Sequence, residues 1–225
     1  MIQLISIDLA AQEDLMIWDQ LARSFSGPPD MSVRRALILG SGEYTERQLE
    51  TIGEGVKRVN GALMTTHPDL ETALREENRK VVSRLTDESI HTVGMLGSDR
   101  GLVVLEKGSI RLSKRLLSSL WQAPGIVAVL TSSGRNMDGN CCDMHPLVLA
   151  HAIKASLDAD IQIVHLAQRL TSEVKEAEAR SEPVSLSSIR SVATFFSSPQ
   201  GGSFQPSFCL SHVQWLAEKR WVEVI

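Results

Sequence analysis

The densest cluster of chemistry-bearing side chains is Cys141, Cys142, Asp143 and His145, in the run CCDMH. Soft thiolates beside an imidazole suit zinc or copper(I). The spacing matches no standard structural zinc site, and a complete set would have to draw on His151, His165, Cys209 or His212. Buried cysteine commonly behaves as a small hydrophobe, so the favoured interpretation is a loop with two partly buried thiols, and no metal centre is assigned. Cys141 with His145 as its base would be a nucleophile pair four residues apart, but Pro146 and the loop context supply no pairing geometry of the kind activation needs. His165 closes an apolar run and reads as a satisfied core histidine.

Two glycine-bearing turns suggest a second chemistry. Gly40, Ser41, Gly42 and Glu43 follow the apolar run 35–39, and Gly97, Ser98, Asp99, Arg100 and Gly101 follow 91–95. A turn between a strand and a helix aims backbone N–H groups at an anion, although glycine, aspartate and serine also occur in turns for local reasons. Gly40, Ser41, Gly42, Gly97, Ser98 and Arg100 are therefore candidate substrate-binding residues. Gly201 and Gly202, in SSPQGG, form the third glycine site.

The elements that must hold these residues alternate along the chain. Runs 2–8, 35–39, 91–95, 126–130, 161–166 and 221–225 read as strands. Helical spacing predicts helices over about 12–23, from the cap Thr45 to about 60, and over 69–85, 113–120, 146–157, 171–180 and 207–219. A hairpin is expected over 102–112, turning at Lys107 and Gly108 and flanking a site rather than joining the central sheet. The unit 126–166 is central: strand, long polar loop 131–145, helix starting at Pro146, second parallel strand. Its ligand site belongs at the strand C-terminal ends. The predicted class is α/β, a three-layer αβα sandwich around a mostly parallel sheet.

Composition narrows the function. A net charge of −4 with scattered basic residues argues against a nucleic-acid surface. No run approaches the roughly 18 apolar residues of a membrane span, and the opening MIQLISIDLA has no basic region before its apolar run, so neither membrane insertion nor secretion is expected. Three cysteines, two of them adjacent, make no disulfide framework, which points to a reducing cytoplasm. One globular unit, 1–225, is expected.

In order and spacing, most of the chain resembles the amino-acid kinase family, the acetylglutamate, aspartate and carbamate kinase group. The pieces are the turn at Gly40 to Glu43, VGMLGSDRG at 93–101, LVLAHAIKASLDAD at 147–160, and GGSFQPSFCLSHVQWLAEKRWVEVI at 201–225. The resemblance implies a carbamate kinase-like fold with a substrate-side lobe (about 1–122) and a nucleotide-side lobe (about 123–225). It also implies a homodimer using ATP and Mg to phosphorylate a carboxylate or carbamate of a small amino-acid-like substrate. Under it, Arg135, Asp143, Gly201 and Gly202 fall to the nucleotide, and Asp143 and Lys154 are the catalytic candidates.

The departures from the family pattern carry as much weight as the matches. Where the family has a lysine and two glycines after its first strand, this chain has Ile7, Asp8, Leu9, Ala10 and Ala11. The family's aspartate falls on Leu147 and its preceding asparagine near His145, unless Asp143 substitutes. No lysine follows Gly202, and 61–69 contains no arginine. Losing one preorganised donor to a transferring phosphoryl group costs about 10²- to 10³-fold. The expected function is thus binding of a nucleotide or small anionic metabolite with phosphotransfer weakened or lost. One alternative is an active kinase that uses Arg100, Arg135 or Lys154 as its cation. The other is a regulatory or metal/oxyanion storage subunit.

Overall fold

The computed structural model describes residues 1–26, 32–106 and 109–167, positions 175, 177, 179 and 180, and two further strands, 208–211 and 222–224. Its centre is a set of short apolar strands. They are β1 (Ile2–Ile7), β2 (Arg34–Leu39), and, following the helices α1 (Leu9–Gln12), α2 (Leu15–Phe25), α3 (Glu43–Thr51) and α4 (Asp69–Asp87), β5 (Thr92–Leu96). Between α3 and α4 lies the small hairpin β3 (Arg58–Val59) and β4 (Ala62–Leu63). The chain continues through β6 (Val103–Glu106), β7 (Ser109–Leu112), α5 (Lys114–Leu120), β8 (Val127–Thr131), β9 (Ser133–Arg135), β10 (Cys141–Asp143), α6 (Pro146–Ser156), β11 (Ile161–Leu166), β12 (Phe208–Ser211) and β13 (Val222–Val224).

Seven strands form the main sheet in the order β13, β12, β11, β1, β2, β8, β5. All neighbours are parallel except β12 and β13. A sheet covered on both faces needs strands apolar on both sides, and the side chains sort accordingly. Leu4, Ala36, Ile38, Ala128 and Leu130 face α6, meeting Leu147, Ala150 and Ile153. Ile5, Ile7, Leu37, Leu39, Val127 and Val129 face α2 and α4, meeting Trp18, Leu21, Val81 and Leu85. Each such leucine or isoleucine contributes about 1.5–3 kcal/mol on burial. The expected three-layer α/β sandwich is what forms.

Several expectations are corrected by the structure. The helix expected over 12–23 is two helices, because the Asp14 carboxylate accepts from Met16 N (2.9 Å) and caps a new start. The helix expected to run to residue 60 ends at Thr51; Gly42, not Thr45, is its N-cap. The chain then turns through Asn60 and Gly61, both at positive φ (50° and 79°), an Asn-Gly hairpin turn between β3 and β4. The polar loop 131–145 contains an antiparallel pair, β9 and β10, with Asp143 opposite Ser133. That pair joins the 102–112 hairpin in a second sheet ordered β10, β9, β6, β7. The strands β8 and β11 are parallel in one sheet, but β2 and β1 lie between them and α6 crosses both. Within the helix expected over 207–219, Phe208–Ser211 is a strand paired with β11. Phe208 and Leu210 satisfy a period of two as well as a helical one, and the open edge of β11 decides between them. The helices expected over 171–180 and the rest of 212–219, and the pair Gly201 and Gly202, lie outside the fully described residues.

Candidate functional site

The parallel strands deliver Gly40, Gly97 and Ser132 together at their C-terminal ends, held by Gly97 N to Thr131 O (3.0 Å) and Ser132 N to Leu39 O (2.7 Å). In the first glycine turn the backbone N–H groups are already engaged. Gly42 N donates to Glu77 Oε2 (2.9 Å) and Glu43 N to Glu13 Oε1 (2.6 Å). Glu77 also accepts from Gln12 Nε2 (2.7 Å) and from the Thr45 hydroxyl. Burial pushes its pKa up, and the bonds from Thr45, Gly42 and Gln12 oppose that shift. The anion-receptive end of α3 is thus filled by two carboxylates of the chain itself. The place of a Gly42 side chain is likewise taken, with Glu77 Oε1 1.9 Å from where a Cβ would sit.

One residue away, Ser41 belongs to a second buried polar cluster. Its Oγ donates to Asp143 Oδ2 (2.5 Å) and accepts from Arg58 Nη1 (3.1 Å). Leu63 N donates to the same Asp143 oxygen (2.7 Å). Burial pushes the Asp143 carboxyl up to about 6 despite these donors. Its Oδ1 and the nearby Ser132 Oγ are buried and meet no hydrogen-bond partner. An acid of this pKa, with one acceptor position unengaged, can exchange a proton near neutrality. Arg58 is committed to the fold: Nε to Glu46 (2.8 Å), Nη1 to Gly61 O (2.8 Å) and Nη2 to Ser41 O (2.9 Å).

His145 begins α6, its Nδ1 accepting from Leu147 N (3.2 Å). Burial and the Arg58 charge lower its pKa to about 4, so the ring is neutral at pH 7 with its proton on Nε2. With Pro146 lacking an N–H and Leu147 capped, the start of α6 presents little to an anion. His165 bonds Ser6 Oγ (3.2 Å) inside the sheet, as a core histidine should.

The remaining candidates separate. Gly97 is required because a Cβ would lie 1.9 Å from Ser133 O. Ser98 is buried, its carbonyl accepting from Arg135 Nε (3.0 Å). Arg135 directs its other two nitrogens to Gly139 O (2.9 Å) and Glu71 (2.8 Å), so each of its three nitrogens is engaged within the chain itself. Arg100 is exposed in a left-handed turn (φ 50°). Lys154 sits in the last turn of α6, some nine residues from the end that Asp143 precedes, roughly 13 Å along the axis, so it is not at the Asp143 site. Burial pushes the Cys141 thiol up to about 11, the opposite of nucleophile activation. Among the described residues no three His, Cys, Asp or Glu side chains converge on a metal position.

Sequence reasoning missed Glu77, Gln12 and Arg58. Glu77 had a signal: it occupies the apolar stripe of α4 between Leu74 and Val81, where a carboxylate must find donors. Arg58 would have followed from taking VNGA as a hairpin turn.

No protein-family model matches the chain. It is 27% identical to the acetylglutamate kinase of Methanopyrus kandleri over 55% of this chain and 58% of that one. The N-acetylglutamate synthase of Neisseria gonorrhoeae, solved with coenzyme A and L-arginine, superposes with a TM-score of 0.63 at 14% identity, covering 99% of this chain and 61% of the synthase. An isopentenyl phosphate kinase superposes with a TM-score of 0.62 at 10% identity over 100% of this chain and 99% of its own. The chain thus spans about three fifths of the acetylglutamate enzymes it matches. No helix among the described residues is long and apolar enough to cross a membrane.

Proposed function

From the amino-acid-kinase fold of this chain, we propose that it binds a nucleotide or small metabolite at the C-terminal edge of the parallel sheet, with phosphoryl transfer weak or absent. The observation that carries this is the occupation of Gly42 N and Glu43 N by Glu77 and Glu13. Phosphoryl transfer rests on positioning and charge neutralisation, and two built-in carboxylates at the helix start oppose both. The cations Arg58, Arg75 and Arg135 are each paired with a glutamate or aspartate of the chain, which supports the same conclusion. The fold alone does not choose the reaction, since its solved neighbours include kinases and a synthase by name.

Two measurements test the proposal together. Mg·ATP at about 100 times its dissociation constant should stabilise the folded chain by roughly 2.7 kcal/mol. Over the same ATP range, ADP release with a panel of amino-acid carboxylates and carbamate should stay far below the roughly 1–100 s⁻¹ of working kinases. Turnover in that range overturns the loss of transfer, and an unmoved melting curve at millimolar ATP overturns nucleotide binding.

A further inference from the structure

Two carboxylates from different elements meet at Gly42. Glu13 caps the C-terminal end of α1, and Glu77 belongs to α4. Measured from the point a Gly42 Cβ would take, Glu13 Oε1 lies at 2.6 Å, Gln12 Nε2 at 2.8 Å and Glu77 Oε1 closer still. Like charges that close repel, the more so where one of them is buried. Buried charges are ordinarily paired or bound to a metal. The neighbouring cations are committed elsewhere: Arg47 to Glu43, Arg58 to Glu46, and Lys80 over the Tyr44 ring. Among the described residues, neither Glu13 nor Glu77 has a lysine, arginine or histidine as an ion-pair partner.

Gln12 supplies a second, independent observation. It is only 6% exposed. Its Nε2 donates to Gly40 O (3.2 Å) and Glu77 Oε1 (2.7 Å), both acceptors, which fixes the other end of the amide as the oxygen. That Oε1 is buried and meets no donor. An orphaned buried acceptor costs free energy, and the same amide group stands at the point where the two carboxylates converge. Glycine at position 42 keeps this space open, since any side chain would fill it.

We propose that the end of α1 and the start of α3 form a site for a hard divalent cation of the magnesium class, with Glu13, Glu77 and the Gln12 amide oxygen as its protein ligands. Three oxygen donors without nitrogen or sulfur suit magnesium or manganese and disfavour softer metals. Magnesium is commonly held by one or two carboxylates and keeps several waters, and the exposed side of Glu13 leaves room for them. Only two of the three ligands are acidic, so the set is distinct from a grouping of three His, Cys, Asp or Glu side chains. Burial raises the Glu77 pKa and the Glu13 charge adds to it; a divalent cation removes the second cause. The site needs no nucleotide, so the metal alone is the probe and Mg·ATP binding is a separate question.

Terbium, a hard cation that takes the same oxygen ligands, reports on the site through Trp18, whose Nε1 donates to Gln12 O (2.7 Å). Tryptophan excitation of the chelator-stripped full chain should give terbium emission that saturates at one ion per chain and is displaced by magnesium or manganese. Glu13→Gln keeps an oxygen for Glu43 N and, the residue being exposed, should stay folded by circular dichroism. It should weaken terbium and magnesium binding by more than about 10-fold, since even changes behind the ligands of a metal site cost about 10- to 100-fold in affinity. Glu50→Gln removes an equal charge from the exposed far end of α3 and should leave the affinity unchanged. Absence of saturable emission from the parent chain, emission that magnesium does not displace, a folded Glu13→Gln chain that binds as the parent does, or an equal loss in Glu50→Gln would each overturn the proposal.

Discussion

Two buried carboxylates bracket the Gly40 to Gly42 turn, and they are built differently. Glu77 is held by Gln12 Nε2, Gly42 N and the Thr45 hydroxyl, and it welds α4 to the start of α3. Asp143 has both its donors, Ser41 Oγ and Leu63 N, on Oδ2, while Oδ1 meets none. Burial raises both pKa values. The difference is one of arrangement: Glu77 shares its donors over both oxygens and ties two helices together, whereas Asp143 leaves one buried oxygen unengaged. Glu77 holds the start of α3, where an anion would be expected, and Asp143 lies beside Ser41, one residue before it.

Substitutions at the two positions should separate them, the largest effect first. Glu77→Ala strands three buried donors and should cost about 3–5 kcal/mol in denaturant unfolding. Glu77→Gln should recover only part of this, because an amide cannot accept from all three donors on both of its ends. A near-neutral Glu77→Ala would erase the contrast.

Asp143 should instead reveal itself through pH. Its folded pKa is raised from 3.8 to about 6, so the folded chain binds the proton more tightly than the unfolded one. The stability this confers is full below about pH 4 and is lost as pH rises through about 6, a change of about 2–3 kcal/mol. Asp143→Asn keeps an acceptor for Leu63 N and Ser41 and removes the titration. Unfolding free energies of the parent and this variant should therefore diverge between about pH 4 and pH 7, with the variant relatively more stable at the upper end. Parallel curves would mean that burial does not raise the Asp143 carboxyl above its unfolded value.

Smaller effects belong to the elements that hold Asp143. Gly61 sits at φ 79° with His145 Cδ2 2.7 Å from its Cβ position, so Gly61→Ala should cost about 2 kcal/mol in a thermal melt and loosen the β4 contact to Asp143. Arg135→Ala cuts β9 from Glu71 on α4, but this ion pair is over a third exposed on the arginine side and should be worth less than about 1 kcal/mol. A larger loss there would make the β9 and β10 pair a principal support of the Asp143 cluster.

Much of the fold was legible because short, nearly continuous apolar runs, joined by helical stretches, leave few alternatives to a parallel sheet. Ile2–Ile7, Arg34–Leu39, Val127–Thr131 and Ile161–Leu166 all fall where their patterns put them. Local ambiguity produced the errors. Phe208–Ser211 suits either period and takes the one that β11 offers. The segment 131–145, polar and rich in turn residues, conceals the three-residue strands β9 and β10, which pair with each other and join β6 at Val104 opposite Arg135. At the site, Ser41, Asp143 and His145 were chosen by residue type and do come together. Lys154 and Arg135 were chosen for their charge, and charge in a sequence does not disclose its partner.

By itself, then, the sequence determined the layered α/β class, the glycine turns at the strand ends and the absence of the family's phosphate lysines, because periodicity and residue identity are local properties. Tertiary structure alone decided that Glu77 and Glu13 fill the helix start, that Arg58 is spent on Glu46 and the carbonyls of Ser41 and Gly61, and that Asp143 keeps an unengaged oxygen. The carboxylate contacts join residues 30 to 102 positions apart along the chain within 3 Å, and only the packing of the end of α1, α4 and β10 against one turn brings them together.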